Sequence, residues 1–292
     1  MKWHLLAPLA SSLLYVAGVL LMKRAAVLGV GVWRATFVSN LATGLIFSLL
    51  WTWGGAPVVF SLLWQPLVVA ALFVGAQTMT FVALDGGDVS VATPAMGAKT
   101  IFVAWFTTLF LGIGVTWQLW LSAFLSCLAI ALLHLGGGVV KGSVARTVGF
   151  SLAAAGGYAL FDVLVQKWAP VWGAGRFLPI MFAFSGGLSL GFMPFFHGRL
   201  RDIPRTARGV LVGGACFIAL QSLLLITAVA LYGDATSMNV IYSARGLWSV
   251  VAVWLVGHWF ANTESTQGGG VLGLRLAGAL VMAAAIVVTF LI

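Results

Sequence analysis

Runs of about 20 apolar residues recur along almost the whole of this 292-residue chain, separated by connections too short to fold alone. Ten such runs can be drawn, at 4–22, 33–52, 64–84, 88–111, 117–135, 147–167, 175–195, 208–231, 235–257 and 269–291. A run of that length crosses a bilayer as an α-helix, because in lipid the backbone polar groups must be satisfied within the segment. The expected fold is therefore all-α integral membrane, with ten transmembrane helices. Composition agrees: 62% of residues are hydrophobic, 7% are charged and mean hydropathy is +1.10, against about 25% charge in a soluble domain. The net charge of +9 sits mostly in the short connections. There it reads as a topology signal, and nucleic acid is excluded as a partner. Cys127 and Cys216 lie inside apolar runs and imply neither a disulfide framework nor a metal site. The four histidines lack metal-ligand spacing, and no cofactor is expected. The N-terminal run is read as the first membrane helix, not a cleaved signal.

Two of these runs carry a cation deep inside. Thr93–Phe110 (TPAMGAKTIFVAWFTTLF) holds Lys99, and Asn239–Val256 (NVIYSARGLWSVVAVWLV) holds Arg245. Setting Asp88-Val-Ser over Asp234-Ala-Thr brings Ala98-Lys99 over Ala244-Arg245 without a gap. Other pairs follow. Lys23 ends the first span and Lys167 the sixth; Arg34 opens the second and Arg176 the seventh; Gly44 and Gly186 follow those arginines at equal distance. The segment Gly136–Arg146 divides five spans from five, giving a first repeat over 1–138 and a second over 143–292. With an odd number of spans per copy the second inserts upside down, the inverted-repeat plan of secondary transporters.

Tyr15-x-x-Gly18 leading to Lys23 and Arg34, and Ala83–Pro94 ahead of the helix end at Gly112, resemble the drug/metabolite transporter superfamily, nearest its ten-helix EamA-type branch. The chain departs from that pattern at Ile113 and His258, where the family often carries glutamate. The resemblance implies metabolite export by alternating access, a bacterial inner (plasma) membrane and both termini in the cytoplasm. The excess of Lys and Arg in the connections after the odd-numbered spans instead predicts both termini outside.

The candidate substrate-binding residues are Lys99, Arg245, Asp162, Tyr158, Asn239, Tyr242 and Gln77; no catalytic residues are expected. A guanidinium inside a membrane helix costs a few kcal/mol, roughly 2.5–3.5, so it faces a cavity or a partner. Lys99 and Arg245 either attract a substrate anion or pair internally. In the superfamily, phosphate translocators and nucleotide-sugar carriers place basic residues of the corresponding helices against substrate anions. Asp162 lies four residues from Tyr158 on one helix face. It binds a substrate ammonium, carries a coupled proton, or pairs with Lys99, Arg245 or Lys167. Asn239, Tyr242 and Arg245 recur every three residues as a polar strip, and Gln77 is polar inside the third span. Gln221 reads as structural and the outer tryptophans as an interface belt; Trp105 and Trp248 lie deeper in their spans and are lesser candidates for a cavity wall. The expected function is a secondary transporter moving a small polar metabolite with an anionic group (amino acid, organic acid or organophosphate), its partners being that solute, the bilayer and a coupled proton. The alternative is a flippase for an anionic or sugar-bearing lipid. An enzyme reading finds no nucleophile–base arrangement to stand on.

Overall fold

The computed structural model describes residues 3–85, 89–134, 143–256 and 269–292. Among the described residues there is no strand. The helices are α1 (Leu6–Val27), α2 (Val32–Ser48), α3 (Trp64–Asp85), α4 (Val89–Gly97), α5 (Lys99–Phe106), α6 (Trp117–His134), α7 (Val144–Trp172), α8 (Ala174–Leu188), α9 (Arg205–Tyr232), α10 (Ala235–Tyr242), α11 (Arg245–Val256) and α12 (Gly269–Leu291). Among the described residues eight helical stretches are long and apolar enough to cross a membrane. The chain is thus an all-helical, multi-pass integral membrane protein. The α6 stretch Trp117–Leu133 is apolar but shorter, and the run expected at 235–257 is two short helices, α10 and α11. Asp88, Lys141, His258 and most of the dividing segment Gly136–Arg146 lie outside the described residues.

Lipid offers no hydrophobic drive for helix association, so close packing has to come from shape and small residues. α7 and the α8 stretch form the centre, each 50% buried, against 22% for α12 at the periphery. Phe161, Val165 and Ala169 of α7 pack with Phe177 and Phe182 of α8, Val229 of α9 and Met238 of α10 in one core. α1 packs on α9, and α3 packs on α7; α2 lies on both α8 and α9, α3 on both α7 and α8. α6 pairs with α12. Where α2 meets α8, a Cβ on Gly44 would come 3.3 Å from the Phe182 carbonyl oxygen. The absent side chain is what lets the two backbones approach.

One face of the bundle is stitched shut by polar bonds between segments far apart in sequence. Ala56 N–H donates to Trp172 O at 2.8 Å, and Trp172 Nε1 donates to Gln65 Oε1 at 2.9 Å. The Gln166 amide donates to Gly233 O and accepts from Ala235 N–H, closing the α9–α10 turn. Lys167 Nζ reaches Phe110 O at 3.0 Å. Arg176 Nη1 donates to Trp51 O at 2.7 Å, its guanidinium 4.2 Å above the Trp51 ring. At the other face the matching arginine is held less tightly: Arg34 Nη1 reaches Arg199 O at 3.4 Å, while Nη2 bonds the nearby Gly29 O.

The sealed face also fixes a glycine requirement. A Cβ at Gly175 would lie 2.5 Å from Gly54 O and 2.6 Å from Leu50 O, both backbone atoms that cannot swing away. Gly175→Ala is expected to destabilise the protein by about 1–3 kcal/mol through overpacking. A melting curve of the purified protein checks this; an unchanged midpoint would show that α8 and the Leu50–Gly54 segment are not so tightly apposed.

Candidate functional site

Both deep cations stand at breaks in their helices. α4 stops at Gly97 and α5 starts at Lys99; α10 stops at Tyr242 and α11 starts at Arg245. At each break the chain tightens to three-residue turns, with Ala98 N–H bonding Ala95 O and Ala244 N–H bonding Ile241 O. At the second break the Ser243 hydroxyl turns back onto Val240 O. Glycines then let α6 pack into the breaks: Cβ atoms at Gly97 and Gly246 would meet Ile130 at 3.1 Å and Leu133 at 3.4 Å.

The two cations face one cavity of about 370 Å³. Its deep end is formed by Lys99, Asp162, Tyr158, Tyr15, Tyr242 and Arg245. From there it runs between α1, α2, α3 and α9 to Val30 and Val32 at the α1–α2 turn, and its walls include no residue of the sealed face described above. Among the described residues the cavity thus reaches toward one face of the bundle only.

Lys99 and Asp162 form an ion pair, Nζ to Oδ2 2.8 Å, with the Asp162 side chain almost wholly buried. Of the three cations weighed as partners for Asp162, it is Lys99 that holds it. Asn239 Nδ2 donates to the same Oδ2 at 2.8 Å and to Ala235 O at 2.9 Å. Asp162 Oδ1 is buried with no hydrogen-bond partner. The Lys99 ammonium also lies 5.8 Å from the Tyr158 ring centroid and 5.9 Å from that of Tyr242.

Arg245 is treated differently. Its guanidinium lies 4.8 Å from the Tyr15 ring centroid and 4.6 Å from that of Tyr242, two rings set edge to face at 5.9 Å. Among the described residues no carboxylate lies within ion-pair distance of it. Each cation–π contact contributes about 0.5–2 kcal/mol, which offsets part of the desolvation cost without neutralising the charge. The Tyr242 hydroxyl donates to Gln221 Oε1 at 2.9 Å, and the Gln221 amide donates to Ser222 Oγ at 2.7 Å. Gln77 and Asn40 exchange two amide hydrogen bonds at 3.0 Å each.

Six of the seven expected site residues thus line the cavity: Lys99, Arg245, Asp162, Tyr158, Tyr242 and Gln77. Asn239 lines a small adjoining pocket with Lys99, Tyr242 and Arg245 and acts on the site by bonding Asp162. Tyr15 and Gln221 also line the cavity, Tyr15 unforeseen and Gln221 read from sequence as structural. The signal for both was available. Tyr15 and Tyr158 each lie in the first span of their half and face the cation of the other half, and Gln77 and Gln221 each lie in the third span. Trp105 is half exposed on the outer surface of α5, and neither it nor Trp248 belongs to the cavity walls. Among the described residues no group of three His, Cys, Asp or Glu side chains is placed to hold a metal ion.

No family model matches the sequence, and no curated protein matches it. Solved structures do match. One crystal structure aligns with 99% of this chain and 98% of its own at a TM-score of 0.76 and 15% sequence identity. At that identity the likeness speaks for the fold alone.

Proposed function

We propose that the protein is a secondary transporter of a small polar metabolite with an anionic group, working by alternating access from a mid-membrane cavity. The observation that carries this is Arg245, a guanidinium in a cavity within the membrane, seated on two tyrosine rings with no carboxylate against it among the described residues. A charge of that kind needs water or an anionic ligand to complete it. The fold is taken as ten spans in two inverted five-helix repeats, in keeping with the resemblance to the EamA-type branch of the drug/metabolite transporters. Exchange of partners supports the repeat: α1 on α9 answers α7 on α3, α2 on α9 answers α8 on α3, and α2–α8 and α6–α12 answer themselves. The broken helices bearing Lys99 and Arg245 answer each other in the same way, as discontinuous helices do in carriers. No nucleotide-binding motif is present in the sequence, so the driving force is a gradient or exchange.

The cavity mouth lies beside the end of α1, on the face carrying Lys23, Arg24 and the basic segment Arg199–Arg208. The positive-inside rule puts that face in the cytoplasm and both termini outside. The transport proposal is tested by solute counterflow in proteoliposomes: labelled organic anions are expected to accumulate against unlabelled ones, saturably and without ATP. Fluxes equal to those of empty vesicles across amino acids, organic acids and phosphate esters would overturn it.

A further inference from the structure

Among the described residues the charges that line the cavity sum to one. Lys99 and Asp162 are an ion pair at 2.8 Å, and whichever of them holds the proton, the pair contributes no net charge. Arg245 alone is left to be balanced. A phosphate monoester carries about −1.5 to −2 at pH 7 and would bring an uncompensated charge into the middle of the membrane, where charge is costly. A carboxylate of single charge closes the account, and the planar guanidinium matches its two oxygens.

The uncharged surface points the same way. The wall opposite Gln77 is apolar, made by Val19 and Met22 of α1 with Ile218, Leu225 and Ile226 of α9. Four of the polar side chains that line the cavity are bonded to the protein. Gln77 has both amide atoms on Asn40, Gln221 uses its oxygen and nitrogen on Tyr242 and Ser222, and the Thr80 hydroxyl donates to Ala76 O. A sugar entering here would find those four groups engaged and would press hydroxyls against the apolar α1–α9 wall, where an unpaired polar group is costly. The volume of about 370 Å³ lies in the range of small-molecule sites.

We infer, resting on the carrier function above, that the solute is a monovalent organic anion with an apolar body, its carboxylate on Arg245 and its body against the α1–α9 wall. The Lys99–Asp162 pair sets this valence by cancelling the second cation. The test is binding to the purified full-length protein, measured by calorimetry with butanoate, hexanoate, 3-phenylpropanoate, L-phenylalanine and glucose 6-phosphate. Affinity is expected to rise about fourfold per methylene from butanoate to hexanoate, and 3-phenylpropanoate to bind at least about tenfold more tightly than glucose 6-phosphate. Asp162→Asn leaves Lys99 without its counter-charge, so the preference is expected to move about tenfold or more toward glucose 6-phosphate. The wild-type comparison stands even where that variant does not fold. A flat chain-length series, or tighter binding of glucose 6-phosphate to wild type, would overturn the assignment. Tighter binding of L-phenylalanine than of 3-phenylpropanoate would also overturn it, by showing that Asp162 receives an ammonium group. In each of these cases positive counterflow with another anion would leave the carrier function standing, whereas loss of all counterflow would remove both.

Discussion

Arg245→Gln is expected to abolish anion uptake in proteoliposomes while leaving a folded, membrane-inserted protein. Removing one partner of a desolvated charge pair costs about 2–5 kcal/mol, which is thirtyfold or more in affinity. The fold loses little, because the guanidinium makes ring contacts and no ion pair among the described residues. Arg245→Lys is expected to recover only part of the uptake, since an ammonium keeps the charge but loses the planar two-point fork. Uptake kinetics paired with melting curves separate the roles. A variant that melts far below wild type would make Arg245 a structural group, and one that transports normally would remove it from the site.

The opposite pattern is expected at the Lys99–Asp162 pair. Breaking a buried pair by removing one partner strands the other charge and costs about 3–5 kcal/mol, whereas removing both is close to neutral. Lys99→Gln and Asp162→Asn should therefore each lower the melting temperature sharply, and the double variant should regain most of the loss. Asn239 makes the two singles unequal. It still bonds the Asp162 oxygen when Lys99 is gone, so Lys99→Gln is expected to be the milder. A cycle of the four proteins measures the coupling; additive losses would show that the pair does not act as one unit.

Much of this arrangement can be read from the sequence because membranes make charge scarce. With so few ionisable groups inside apolar runs, Lys99, Asp162 and Arg245 stand out without any structural knowledge, and comparing the halves places two of them at equivalent depth. What the sequence does not declare is which groups pair. Asp162 is equally compatible with three cations on paper, and the choice of Lys99 depends on how α5, α7 and α10 meet. The helix breaks are also hidden. Hydropathy sees 235–257 as one continuous run, while the interruption at Ser243–Ala244 comes from a serine hydroxyl competing for a backbone carbonyl and from α6 packing on Gly246. Gln221 reads as structural in the sequence, and an isolated polar residue in a membrane helix does commonly bond another helix. It does bond Ser11 of α1, and it lines the cavity as well. Trp105 misleads in the other direction, since its depth along the chain gives no information on which way it faces.

Arg34 and Arg176 each reach for a main-chain oxygen of the opposite half, one at 3.4 Å and the other at 2.7 Å. A carrier that closes one door as it opens the other would then trade like for like, surrendering an arginine–carbonyl bond on one side and gaining its twin across the membrane. The enthalpy of the swap largely cancels. The resting bias between the two shapes falls to secondary differences, such as the Trp51 ring under Arg176, for which Arg34 has no counterpart among the described contacts. With so shallow a tilt, a solute favouring one shape by about 1.4 kcal/mol moves the ratio tenfold. The same shallowness would make such a carrier easy to jam: replacing Trp51 with a small side chain is expected to loosen one door only, and so to reset which side of the membrane the empty protein faces.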